Sequence, residues 1–134
     1  MAEIKIYFSI IGSDLPFHTV TDSLGIAPTD TKRKENWPLP SIIAGVAEDT
    51  WTFSLESEEN YGISQPIQKL SRLFLPKTPV VRQVCERFHA AVHIEVVIHT
   101  DENDLPEMLL SAENIHFLDE LHAEVGFDVY FDLT

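Results

Sequence analysis

Residues 125–133 read Val125-Gly126-Phe127-Asp128-Val129-Tyr130-Phe131-Asp132-Leu133. Apolar side chains alternate with Gly126, Asp128, Tyr130 and Asp132. A period of two, rich in β-branched and aromatic residues, marks a half-buried strand. The rhythm occurs three more times. In residues 4–11, Ile4, Ile6, Phe8 and Ile10 point one way and Lys5, Tyr7 and Ser9 the other. In residues 50–56, Trp51, Phe53 and Leu55 alternate with Thr52, Ser54 and Glu56. In residues 92–99, Val92, Ile94, Val96 and Ile98 alternate with His93, Glu95, Val97 and His99. Parallel strands buried on both faces tend to read as continuous apolar runs. Four strands with one polar face each therefore predict a mainly antiparallel sheet of four to five strands. Helices are expected on one face and water on the other.

The helical segments fall between these strands. Phe17, Val20 and Leu24 share a face over residues 17–25, and Gly25 suits the C-terminal end. Ser64 reads as an N-cap, with Pro66 near the first helical position, followed by Ile67, Leu70, Leu73 and Phe74 at helical spacing. Pro76 and Pro79 interrupt; Val80, Val81, Val84, Cys85 and Phe88 then mark a second piece, separate or part of one broken helix. Ser111 reads as the cap of a helix over 112–123, with Ile115, Leu118, Leu121 and Val125 as its apolar stripe. Glu58-Glu59-Asn60 reads as the end of the second strand, residues 101–106 as an acidic turn, and residues 108–110 as a short extra strand. Residues 27–48 are irregular, with three prolines and the only basic cluster, Lys32-Arg33-Lys34, beside Trp37. A loop this long inside a compact domain is usually functional or mobile. The order β-α-β-α-α-β-α-β predicts an α+β two-layer sandwich, a ferredoxin-like variant with a strand-helix-strand unit at each end. All 134 residues are expected to form a single domain, 1–134.

Charge and cysteine content exclude several classes. Net charge is −13, from 9 Lys+Arg against 22 Asp+Glu, which disfavours nucleic acid and anionic membranes as partners. The single cysteine, Cys85, excludes an internal disulfide and a multi-cysteine zinc module, and among Val81, Val84 and Phe88 it reads as a buried, inert thiol. No apolar run approaches the roughly 18 residues of a membrane span. No basic leader precedes the first strand pattern, so the expected compartment is the cytoplasm. The charge is uneven: the last basic residue is Arg87, and residues 88–134 carry 11 acids and five of the six histidines. A concentrated acidic field steers a cationic partner and raises its association rate.

No catalytic signature is present: there is no nucleophile elbow, Walker loop, dinucleotide fingerprint or zincin motif. His93, Glu95 and His99 share the outward face of their strand, and Asp128, Tyr130 and Asp132 that of theirs. If the two strands are neighbours, these six form an acidic, partly aromatic patch, with tyrosine supplying rigid contact area and carboxylates pairing with Arg or Lys. His93 and Glu95 lie about 7 Å apart along a strand, whereas His99 is about 20 Å from His93. One metal ion cannot bind both histidines, so a metal would need ligands from a neighbouring strand such as Asp128 or Asp132. A second acidic surface is the outer face of the last helix, with Glu113, His116, Asp119 and Glu120 at helical neighbour spacings.

The opening Tyr7-Phe8-Ser9-Ile10, Gly12-Ser13-Asp14-Leu15 and Leu24-Gly25-Ile26-Ala27-Pro28-Thr29, the strand Trp51-Thr52-Phe53-Ser54-Leu55 and the tail Gly126-Phe127-Asp128-Val129-Tyr130 resemble the family catalogued as domain of unknown function 4279. Where that family often has Lys-Gly in its basic loop, this chain has Lys34-Glu35-Asn36. The resemblance implies a small bacterial α+β domain with no catalytic residues to transfer and a link to toxin-immunity systems. With the charge, it leads to the expectation of a cytoplasmic immunity protein without cofactor. Its partner would be a basic, nuclease-like toxin domain bound at His93, Glu95, His99, Asp128, Tyr130 and Asp132. The alternative is a metal- or small-ligand-binding protein, or an enzyme, using the His and carboxylate residues of the same face.

Overall fold

The structure, a computed structural model, describes residues 1–132. The period-two segments form β1 (Ala2–Gly12), β3 (Asp49–Ser54), β5 (Ala91–Thr100) and β6 (Glu124–Phe131). Helices α1 (Phe17–Leu24), α3 (Ser64–Phe74), α4 (Thr78–Phe88) and α5 (Ala112–Glu120) lie between them. Two three-residue strands, β2 (Asp30–Lys32) and β4 (Glu58–Asn60), a one-turn helix, α2 (Leu39–Ile43), and two 3-10 turns, Lys34–Asn36 and Leu75–Lys77, make up the remaining elements of the described residues. The fold is α+β with a mixed six-stranded sheet in the order β2-β3-β1-β5-β6, and β4 lies beside the start of β1.

The strand parity read from the sequence is the parity of the core. Ile4, Ile6, Phe8 and Ile10 of β1 and Val92, Ile94, Val96 and Ile98 of β5 are buried, opposite one another in an antiparallel register from Glu3↔His99 to Ile11↔Ala91. The four packed helices cover this face. Phe74 of α3 stacks on Phe8 at 4.1 Å between ring centroids, and Trp51 meets Phe8 edge-on at 6.3 Å. The Trp51 indole N–H donates to Thr21 Oγ1 of α1 at 3.0 Å, so its polar edge is satisfied inside the core. Burying each such ring stabilises by about 1.5–3 kcal/mol.

Several local expectations change. The β5–β6 pair is parallel, from His93↔Glu124 to Thr100↔Phe131, with α5 as its crossover helix. The sheet expected to be mainly antiparallel with four to five strands is thus mixed and six-stranded, and an edge strand with one bare face alternates whichever way it runs. Both strand-helix-strand units join adjacent strands, so the split arrangement of a ferredoxin-like sheet is absent from the described residues. Glu58-Glu59-Asn60 does not simply end the second strand; it pairs again with β1 as Glu58↔Ile4 and Asn60↔Ala2. Residues 108–110 form no strand, and the nearest pairing is an isolated bridge between Gly62 and Glu107. Ser64 does not cap α3 through its side chain; its hydroxyl and carbonyl oxygens accept from Asn114 Nδ2 at 3.0 Å, tying α3 to α5. Ser111 does cap α5, accepting from the Asn114 N–H at 3.1 Å. Ile115 points outward while Phe117, Leu118 and Leu121 are buried. Leu133 lies outside the described residues.

Candidate functional site

The open face of the sheet carries the even-numbered positions of β6 and the odd-numbered positions of β5 and β1. Because β5 and β6 are neighbours, Glu95 lies opposite Gly126, Val97 opposite Asp128, and His99 opposite Tyr130. The site residues expected from strand parity are thus brought onto one surface. Glu95, His99, Asp128 and Tyr130 line a broad depression of about 880 Å³ across this face. Its far side is lined by hydroxyls, with Ser9 and Thr52 in contact at 2.8 Å and Thr29 and Ser54 at 3.1 Å. Four carboxylates, Asp30, Glu56, Glu95 and Asp128, and a single ammonium group, Lys5, border the depression. Lys5 Nζ lies 5.2 Å from the centre of the Tyr7 ring.

His93 and Asp132 stand behind the residues that line it. His93 Nε2 is 2.7 Å from Glu95 Oε1, and Nδ1 is 2.9 Å from Glu124 Oε1. Partial burial works against the charged ring, but the two carboxylates outweigh it and raise the His93 pKa above its ordinary 6.5. The two carboxylates thus favour the charged form of the ring over the neutral one. Gly126 makes this arrangement possible: a Cβ there would lie 2.3 Å from Glu95 Oε1, so only glycine lets the carboxylate cross the neighbouring strand. The His99 ring stacks on Tyr130 at 4.9 Å and 14°, and its Nδ1 lies 3.5 Å from Asp132 Oδ1. Sequence reasoning did not identify Glu124 or Gly126. A glycine interrupting an otherwise alternating strand was the available signal for a close approach.

The second expected surface is divided. Glu113 and His116 border a groove of about 550 Å³ between α5 and the end of α3, which Arg72 and Leu75 also line. Asp119 and Glu120 lie farther along α5, with Glu120 Oε1 3.9 Å from His116 Nε2. Two other histidines are backbone devices. His89 and His122 end α4 and α5 with φ of 52° and 51°, where Ala90 N–H donates to the Cys85 carbonyl and Ala123 N–H to that of Leu118.

The basic cluster is committed internally. Asp49, 3% exposed, accepts from the Leu15 N–H at 3.0 Å, the Lys34 N–H at 2.9 Å and Arg33 Nη1 at 3.1 Å. Desolvation acts to raise its pKa, but the two backbone donors and the Arg33 guanidinium prevail and hold it below its ordinary value. Arg33 also lies over the Phe17 ring, Lys34 Nζ reaches Ser13 O and Asp14, and Lys32 lies over Trp37. The Gly12-Ser13-Asp14-Leu15 turn, the basic loop and the start of the Trp51 strand thus converge on one buried carboxylate. Beyond this knot, α2 leaves Leu39, Ile42, Ile43 and nearby Val46 exposed.

Among the described residues no helix is long and apolar enough to cross a membrane. Searches of curated proteins and of solved structures returned no match. The family model described as Domain of unknown function (DUF4279) matches residues 2–132, and the chain belongs to that family.

Proposed function

We propose that the protein is a cytoplasmic binding protein that neutralises a basic protein partner, a nuclease-like bacterial toxin domain, as an immunity protein does. One observation carries this reading: four carboxylates and one ammonium group surround the depression on the open sheet face, beside the stacked Tyr130–His99 pair. A toxin that grips nucleic acid presents a cationic surface, and an acidic inhibitor matches that field and accelerates encounter. Asp128, Asp132 and Glu95 supply acceptors for Arg or Lys, Tyr130 supplies rigid contact area, and His93 fixes Glu95. The metal-binding alternative draws less support, because both His93 ring nitrogens already face carboxylate oxygens at hydrogen-bond distance.

The test is co-expression with the protein encoded beside it, followed by pull-down at low and raised salt. The wild-type chain is expected to retain the partner at low salt. Asp128→Lys combined with Asp132→Lys should lose it while the far-UV circular dichroism stays unchanged. Absence of any complex at low salt would refute the reading.

A further inference from the structure

The two edges of the sheet are built differently. The β2 edge is three residues long, whereas β6 presents eight residues in unbroken register with β5, without bulge, proline or lysine. Natural edge strands are commonly blunted by such features, because a row of unpaired N–H and C=O groups invites another strand. The Asp132 N–H donates to the Thr100 carbonyl, so the even-numbered residues of β6 turn their backbone groups toward β5. Val125, Phe127, Val129 and Phe131 therefore turn theirs outward, and nothing among the described residues pairs with them. The side chains of Phe127, Val129 and Phe131 lie on the helix-covered face, yet they remain 43%, 41% and 56% exposed. On the opposite face of the same strand stand Glu124, Asp128 and Asp132.

We infer that β6 is a docking edge for an extended segment of the basic partner, which adds to the sheet as a seventh strand. This rests on the reading of the protein as a binder of a basic partner and specifies how it binds. The alternation on β6 defines the guest: apolar residues every second position against Phe127, Val129 and Phe131, with Arg or Lys between them facing Glu124, Asp128 and Asp132. Backbone hydrogen bonds supply affinity and the two faces supply selectivity. A second copy of the chain is a poor occupant. Antiparallel pairing centred on Asp128 sets Asp128 against Asp128 and Glu124 against Asp132, and every other register still brings two rows of Glu124, Asp128 and Asp132 onto one face, where their like charges repel. The acidic row therefore disfavours self-pairing while admitting a cationic strand.

The probe is an eight-residue peptide of alternating arginine and valine, compared with a block peptide of four arginines followed by four valines. Binding to the full chain is measured by calorimetry at low salt, with amide hydrogen exchange followed by NMR. The alternating peptide is expected to bind at least tenfold more tightly than the block peptide. The amides of Phe127, Val129 and Phe131 should gain protection, and Val129→Pro, which removes an outward N–H but no bond to β5, should erase the preference. If Val129→Pro fails to fold, Val129→Lys serves as the blocking variant. Equal binding of both peptides with unchanged amides would overturn edge docking while leaving the acidic-face reading intact. No binding of either peptide would overturn both. Self-association of the wild-type chain that Val129→Pro abolishes would give the edge to a second copy and overturn the inference.

Discussion

Gly126→Ala tests the geometry of the candidate site with one methyl group. The added Cβ would lie 2.3 Å from Glu95 Oε1, closer than such atoms approach, so the flexible Glu95 side chain must move. It then leaves His93 Nε2, now 2.7 Å away, and the ring keeps only Glu124. A hydrogen bond to a charged group contributes about 1.5–3 kcal/mol. With the His93 and Glu95 side chains 29% and 25% exposed, the loss should fall near the bottom of that range. Replacing glycine by alanine inside a strand returns about 0.5–1 kcal/mol. The net change in stability is therefore within about 1 kcal/mol, and the melting temperature is a weak readout. The His93 titration is a sharper one. With one carboxylate gone, burial opposes the charged ring against a single partner, and the His93 pKa should fall relative to wild type. NMR titration of the imidazole resonances follows it, with His93→Gln for assignment and Glu95→Gln as the reference. The wild-type ring has a raised pKa, so its stabilising contribution is complete below about pH 6.5, the unfolded value, and is lost as pH rises through the folded value. The stability gap between wild type and Gly126→Ala should accordingly be widest below pH 6.5 and close on the alkaline side. An unchanged His93 pKa in Gly126→Ala would refute the claim that Glu95 holds the ring.

Asp49→Ala leaves the Leu15 and Lys34 N–H groups without their acceptor, while the half-exposed Arg33 keeps the Leu15 carbonyl, and should cost about 2–4 kcal/mol in urea unfolding at neutral pH; a cost below about 1 kcal/mol would contradict the knot. The lowered Asp49 pKa implies that the wild-type advantage over Asp49→Asn is present above its ordinary value of 3.8 and shrinks as pH falls through the folded value. His122→Gly removes the penalty of a left-handed non-glycine residue and should stabilise by about 0.5–1 kcal/mol, read by thermal unfolding. Ile43→Ser, at an exposed position of α2, should change stability by less than about 0.5 kcal/mol, because no core contact is lost.

The parity of β1, β5 and β6 was legible because a side-chain period of two is local, and it placed His93, Glu95 and His99 on one face of their strand and Asp128, Tyr130 and Asp132 on that of theirs; that the two strands are neighbours is a fact of the fold. Gly25 and Ser111 were legible as helix boundaries for the same reason. Strand direction was not legible: in β6 the alternation reports a bare face, which parallel and antiparallel edge strands share. Three residues carry no periodicity, so β2 and β4 were hidden, and Glu58-Glu59-Asn60 joins β1 against its weak intrinsic strand preference. The Asp49 knot unites residues 15, 33, 34 and 49, a coincidence that only the tertiary fold creates. Phe127, Val129 and Phe131 were expected in the core on alternation alone; at the sheet edge they stay about half exposed.

The central claim is that the acidic open face, rather than the outer face of α5, holds a basic partner. It is tested most directly by calorimetric affinity for the neighbour-encoded protein, measured with two charge-reversed chains of verified fold. Asp128→Lys with Asp132→Lys should weaken binding at least a hundredfold, whereas Glu113→Lys with Asp119→Lys and Glu120→Lys should leave it within about fivefold, given that fully desolvated charge pairs count for far more than rim charges. Unchanged affinity in the first chain together with lost affinity in the second would contradict the account and move the site to the helix.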